Sequence, residues 1–165
     1  MMQYSYPYAY AKITGNADNP SLHGMAYFYP VSFGGVLIET EVYGLPYENI
    51  PLYSQFYGMH IHETGDCSLP FDKTGTHYNP NNFPHPRHAG DLLPLLGNEG
   101  YAYSVFYTDR FEVQNIIGRS LIIHSSPDDL TTQPSGNAGV KIGCGVIFSK
   151  EAYYPQNPPS AVRYP

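Results

Sequence analysis

The chain has no tryptophan, few basic residues, only two cysteines and no sustained helical periodicity. Each scarcity excludes something. Eight Lys plus Arg against 14 Asp plus Glu leave a formal charge of −6, with no basic stripe, which argues against a nucleic-acid partner or an anionic membrane surface. No segment approaches the ~20 consecutive apolar residues of a membrane span. The N-terminus lacks a basic n-region followed by an apolar core, so no signal peptide is expected and the cytoplasm is favoured. A leader removed before residue 1, with an exported or cell- or spore-surface location, stays open. Two cysteines, Cys67 and Cys144, are too few for a disulfide-rich scaffold, and on composition alone both could be free thiols.

What is present points to strands. Seventeen tyrosines, 16 glycines and 16 prolines favour short extended segments joined by turns. Tyr4, Tyr6, Tyr8 and Tyr10 alternate, as in an edge strand or extended arm with one aromatic face. Strands are expected at Ala9 to Thr14, about Leu22 to Val31, and Val36 to Tyr43, the last two joined by a turn at Phe33-Gly34-Gly35. Val36, Ile38, Thr40 and Val42 alternate with Leu37, Glu39, Glu41 and Tyr43, the pattern of a half-exposed antiparallel strand. Further strands are expected around His60, at Gly100 to Thr108, Ile116 to His124 and Val140 to Phe148. About eight short strands indicate an all-β sandwich or barrel. The whole chain, 1–165, reads as one domain: a core of about 8–149, a Tyr-rich arm of 1–7 and a Pro-rich tail of 150–165.

The histidines carry the chemistry. Gly58-Met-His-Ile-His-Glu-Thr-Gly-Asp-Cys67 alternates so that His60 and His62 project from one strand face, about 6.5 Å apart along the chain. A His-x-His pair is weak evidence alone. The remainder of the inventory, His77, His85, His88 and His124, lies beside glycine, proline, asparagine or a strand end, where metal loops are usually anchored. His23 has no partner motif and reads as a surface histidine. From Glu63 to Gly90 the chain has no periodicity, and a loop of that length in a compact domain is uncommon unless functional or tied down.

These segments resemble the copper/zinc superoxide dismutase family. The 58–67 segment is similar to its first copper motif, and Gly75-Thr76-His77-Tyr78-Asn79-Pro80 to the segment with its bridging histidine. Pro86-Arg87-His88-Ala89-Gly90-Asp91-Leu92 resembles the end of its zinc loop. The strand 116–124 and the segment from Gly136 to Gly145 resemble its last two conserved blocks, and all five occur in family order. The resemblance implies an eight-stranded antiparallel Greek-key barrel with long metal-binding loops. It implies copper held by His60, His62, His77 and His124, zinc held by His77, His85, His88 and Asp91, and His77 shared between them. Asp128 would link a copper histidine to a zinc histidine, and Cys67 would pair with Cys144. The implied reaction is dismutation of superoxide anion to dioxygen and hydrogen peroxide, with His77 carrying a proton, and a homodimer is compatible with it.

Three features depart from the family pattern. Lys141 stands where the family places an arginine that attracts the anion, so His77 and Lys141 are the catalytic candidates, with reduced activity expected. The three-residue step from His85 to His88 is shorter than the family's. The loop from Ser125 to Ser135 has no lysine or arginine to steer an anion. These departures motivate an alternative from another class, a noncatalytic or weakly active copper- and zinc-binding relative serving as a metal store, chaperone or coat component.

Overall fold

The computed structural model describes residues 7–47 and 55–150. Tyr4 and Tyr6, most of the connection expected after Gly44, and nearly all of the Pro-rich tail lie outside the described residues. Strand β1 (Ala9–Gly15), β2 (His23–Pro30) and β3 (Val36–Tyr43) form an antiparallel meander. The chain then crosses to β4 (Phe56–Tyr57) and β5 (Met59–His62), and returns through β6 (Leu95–Leu96) to β7 (Tyr101–Thr108). Strands β8 (Ser120–His124) and β9 (Lys141–Ser149) complete it.

The main sheet is a curled antiparallel sheet of seven strands in the order β5-β8-β9-β1-β2-β3-β7, with β4 and β6 forming a separate ribbon. The crossings from β3 to β5 and from β7 to β8 are the long connections of a Greek key. β4 and β5 are separated only by Gly58, whose N–H donates to the Ser126 carbonyl at 2.8 Å. Taken as one interrupted strand they restore the expected total of eight.

The register explains the core. Alternation sends Ala9, Ala11 and Ile13 of β1, Ala26 and Phe28 of β2, and Val36, Ile38 and Val42 of β3 into one interior. Met59 and Ile61 of β5 join them, facing Ile123 and Leu121 of β8. The opposite faces of β5 and β8 carry His60, His62 and Ile122. They are buried too, because loops cover them.

On the outside, β3 offers two carboxylates to a tyrosine ladder. Glu39 accepts from the hydroxyls of Tyr29 and Tyr103, each at 2.8 Å, and Glu41 from those of Tyr43 at 2.7 Å and Tyr101 at 3.0 Å. Burial of its hydroxyl and the hydrogen bond to Glu39 push Tyr29 up to about 12.

The strand expected from Ile116 begins later, at Ser120. Residues Val113–Ile116 instead make one helical turn closed by a reciprocal capping box between Glu112 and Asn115. Gly118, at φ +79°, then turns the chain into β8. The apolar residues that look like a strand start are there to plug the barrel: Phe111, Val113 and Ile116 are all buried. His23 is exposed as expected, stacked on Tyr43 with ring centroids 5.4 Å apart.

Candidate metal centre

Four imidazoles meet on the loop-covered face of β5 and β8. His60 and His62 leave β5 on the same side, ring centroids 6.5 Å apart. His124 ends β8 at a register shift opposite Lys141, an irregularity of the kind that re-aims a side chain beside a site. His77 is brought in by an isolated bridge to His62. Its ring centroid lies 3.9 Å from that of His60 and 5.1 Å from that of His62.

The hydrogen bonds decide which nitrogen of each ring is free. His62 Nδ1 donates to the Gly75 carbonyl at 2.9 Å and His124 Nδ1 to the Gly139 carbonyl at 3.2 Å, leaving both Nε2 atoms as acceptors. His60 is turned the other way: its Nε2 donates to Asp128 Oδ2 at 2.7 Å, so its Nδ1 is free. His60 Nδ1, His62 Nε2, His77 Nε2 and His124 Nε2 are buried with no hydrogen-bond partner among the described residues. An unsatisfied buried polar atom costs about 1–3 kcal/mol, so four in one place call for a common partner. The ligand atoms that His60, His62, His77 and His124 can offer lie within 4.8 Å of one another. That is close to the roughly 4 Å ceiling for atoms bound to one ion at ~2.0–2.1 Å.

The rings are also in the right protonation state. Burial lowers His60, His62 and His124, to about 2 for His62 and about 3 for His124, so all three are neutral bases at pH 7. Together with the unpartnered His77 Nε2 they offer four imidazole nitrogens, a set that suits copper.

A second group adjoins the first through His77. His77 Nδ1 lies 2.7 Å from Asp91 Oδ1 and 3.4 Å from His88 Nδ1. His88 Nδ1 is 3.2 Å from Asp91 Oδ1. His85 Nδ1 sits 3.1 Å from Asp91 Oδ2 but has no hydrogen bond. Most of these separations are close to the edges of a tetrahedron with ~2.0–2.1 Å bonds, which are about 3.3 Å long. Burial raises Asp91, but the hydrogen bond from His77 and the neighbouring imidazoles outweigh it and hold the carboxyl below its usual range. Three nitrogens and one ionised oxygen fit zinc. The short step from His85 to His88 thus leaves the donor set compact.

Asp128 joins the two groups. Besides accepting from His60, its Oδ1 accepts from His85 Nε2 at 2.9 Å and from the Leu130 N–H at 2.7 Å. Burial opposes ionisation, yet these donors hold the carboxyl well below the usual range. The arrangement fixes the tautomer of both rings. Gly136 makes room for it: at φ +67°, a Cβ there would fall 1.9 Å from Asp128 Oδ1.

Lys141 is half-buried at the start of β9. Its Nζ donates to Thr74 Oγ1 at 2.8 Å and to the Phe71 and Gly75 carbonyls, each at 3.3 Å. Burial lowers it from its ordinary value, partly offset by Asp72. Cys67 and Cys144 form a disulfide, Cα–Cα 5.7 Å, packed with Phe71 and Ile122. That cluster holds the 67–75 loop whose carbonyls receive His62 and Lys141.

Sequence reasoning missed several residues that hold the site. Thr74 meets Lys141, and Gly136 admits Asp128. Gln133 grips the main chain of His85, accepting its N–H at 3.0 Å and donating to its carbonyl at 2.6 Å. Arg110 donates from one terminal nitrogen to the carbonyls of Pro86, His88 and Asp91 at 3.0, 3.2 and 3.0 Å. Gln133 and Arg110 carry no motif and their side chains meet backbone atoms, which leaves no spacing signal, and the tasks of Thr74 and Gly136 depend on side chains distant in sequence or on free volume.

Comparison with known proteins agrees. Residues 22–147 match the profile of the family described as copper/zinc superoxide dismutase (SODC). The chain is similar to superoxide dismutase (Cu-Zn) 3 of Arabidopsis thaliana, 37% identical over 108 residues covering 56% of this chain and 66% of that one. It is 33% identical over 143 residues to the extracellular superoxide dismutase (Cu-Zn) of Mus musculus, covering 79% of this chain and 55% of that one. The chain therefore spans about half to two thirds of the length of these relatives. Among solved structures, the clock protein EA4 superposes with a TM-score of 0.73 at 28% identity, over 90% of this chain and 99% of that one. With a curled antiparallel barrel, two histidine groups joined at His77 and a profile match over most of its length, the chain belongs to the copper/zinc superoxide dismutase family.

Proposed function

We propose that the chain, as a single superoxide dismutase-like domain, catalyses dismutation of superoxide. Two superoxide anions and two protons yield one dioxygen and one hydrogen peroxide. The observation that carries this reading is the convergence of four buried, unpartnered imidazole nitrogens from β5, the 63–90 loop and β8. Copper held there would supply the one-electron couple, and zinc held by His77, His85, His88 and Asp91 would fix the far side of the shared ring.

The chain's own residues then have distinct tasks. His77 Nε2 faces the copper group while Nδ1 faces the zinc group, so the ring can hold a proton at Nε2 and release it to peroxide leaving the site. Asp128 keeps His60 and His85 in the same tautomer, each protonated at Nε2 with Nδ1 left free. Lys141 supplies a nearby positive charge for the incoming anion. Its three N–H groups are all directed at the 71–75 loop, so it acts chiefly through its field, where a guanidinium would have donors to spare.

That same saturation favours a second reading, a metal-binding relative with little turnover. The test is superoxide consumption by protein loaded with copper and zinc, before and after chelation, with metal content measured in parallel. Turnover lost on chelation and restored by copper supports dismutation. Stoichiometric copper without turnover supports the second reading.

A further inference from the structure

The zinc group draws all of its donors from residues 77–91, which form no helix and only isolated bridges. The ends of this segment are secured to β5. The Tyr78 N–H donates to the Ile61 carbonyl at 2.8 Å, and the Ile61 N–H to the Gly90 carbonyl at 2.9 Å. Between them, the 84–88 stretch carries two donors on a three-residue step. Within that stretch, among the described residues, the main chain bonds to itself through Arg87 N–H to the Pro84 carbonyl, 2.9 Å. Left to itself, a stretch so thinly bonded would have to pay ordering entropy of about 1–2 kcal/mol per residue when an ion binds.

Two side chains from elsewhere hold it. Gln133, in the loop after β8, makes a two-way bond with the His85 main chain, pairing as a neighbouring strand would. The same loop supplies Asp128 to the His85 ring, so His85 is gripped at backbone and side chain from one segment. Arg110, just past β7, spans the other half. Its terminal nitrogen reaches the carbonyls of Pro86, His88 and Asp91, two of which belong to zinc-group residues. A guanidinium donating to neutral carbonyls makes a charge-assisted bond, stronger than a neutral one.

We infer that Arg110 and Gln133 are positioning residues for the zinc group. They hold the shortened loop in its binding shape before an ion arrives, doing from outside what a longer loop would do with its own contacts. This rests on the zinc assignment above. The consequence is selective: zinc affinity depends on both side chains, while copper affinity, anchored in β5 and β8, does not.

The experiment uses the full chain with copper already loaded, and measures zinc affinity by competition with a chromophoric chelator. Copper affinity is measured separately on the same variants. Arg110→Met and Gln133→Leu are each expected to weaken zinc about 10–100-fold, the range found when partners of metal ligands are removed, with copper altered less than about threefold. Arg110→Lys, retaining a charged donor, is expected to fall between. Zinc affinity within about threefold of the parent in both variants overturns the inference, as does an equal loss of zinc and copper, which signals general loosening. His88→Ala separates this from the parent reading. If it leaves zinc affinity unchanged, the zinc assignment itself is wrong. If it abolishes zinc binding while Arg110→Met and Gln133→Leu bind normally, only the positioning role fails. Should Arg110→Met not fold, Arg110→Lys and Gln133→Leu decide the question by the same criteria.

Discussion

Gly136→Ala is the sharpest test of how the two histidine groups are joined, because Gly118→Ala provides a matched control. Both glycines have positive φ, +67° and +79°, so an alanine at either pays the left-handed penalty of roughly 1–2 kcal/mol. Reduced freedom of the unfolded chain returns about 0.4–1 kcal/mol of that. At Gly118 a Cβ meets nothing within 4 Å, and the account stops there. At Gly136 the Cβ would lie 1.9 Å from Asp128 Oδ1, 2.5 Å from Cγ and 2.8 Å from His85 Nε2, so the carboxylate must leave. Displacing it strands the Nε2–H groups of His60 and His85, bonds to a charged acceptor worth about 1.5–3 kcal/mol each. The expected loss is therefore about 4–7 kcal/mol for Gly136→Ala against about 1 for Gly118→Ala. For a chain of this size that corresponds to roughly 10–25 °C against 2–4 °C in Tm. Calorimetry of metal-free protein with the disulfide intact gives both numbers. If Gly136→Ala melts within about 3 °C of Gly118→Ala, the carboxylate bridge is not holding the rings and the reasoning fails.

Lys141→Arg is expected to raise turnover per copper and tighten azide binding, since a guanidinium keeps N–H groups for an anion after satisfying the 71–75 loop. Unchanged or lower turnover in a stopped-flow assay would remove Lys141 from its assigned role. Metal-free protein should lose stability as pH falls below about 6.5. Unfolded histidines take up protons there, while His62 and His124 stay neutral down to about 2 and about 3, giving a slope of up to ~1.4 kcal/mol per pH unit per group. Asp91 and Asp128, held low when folded, add to the loss below about pH 4, so a flat Tm between pH 7 and pH 5 would contradict the neutral-ring assignment. Cys67→Ser opens a loop spanning 77 residues, and urea titration should show about 4–5 kcal/mol lost in the chain-entropy account. A loss under about 1 kcal/mol would mean that the unfolded chain is already compact.

Much of the fold was legible because inward alternation is a local property. β3 reads directly from Val36, Ile38 and Val42, and the turn at Phe33 to Gly35 sets it against β2. The helical turn at 113–116 was hidden, since Ile116 and Ile117 look like the opening of a strand until Gly118 is known to have positive φ. The histidines and Asp91 that could hold metal stood out through their chemical type and short spacings. Their supports did not: Arg110, Gln133 and Thr74 act across 15 or more residues or through backbone atoms, and nothing in their neighbours marks them. Gly136 is legible only in three dimensions, because its importance is the volume it does not occupy.

A single peptide oxygen, that of Gly75, accepts from the His62 ring and from the Lys141 ammonium. Two donors on one carbonyl set the plane of that peptide between them, so charge and ring alignment at the copper side cannot be varied independently. A neutral side chain at 141 would also let the imidazole swing, and a drop in rate would be mistaken for lost attraction, whereas Lys141→Arg keeps a donor for that carbonyl. Strengthening the field around the entrance beyond what a cation at 141 supplies calls for a second cation at a position free of such duties. Val140, 67% exposed and one residue away, offers that opportunity.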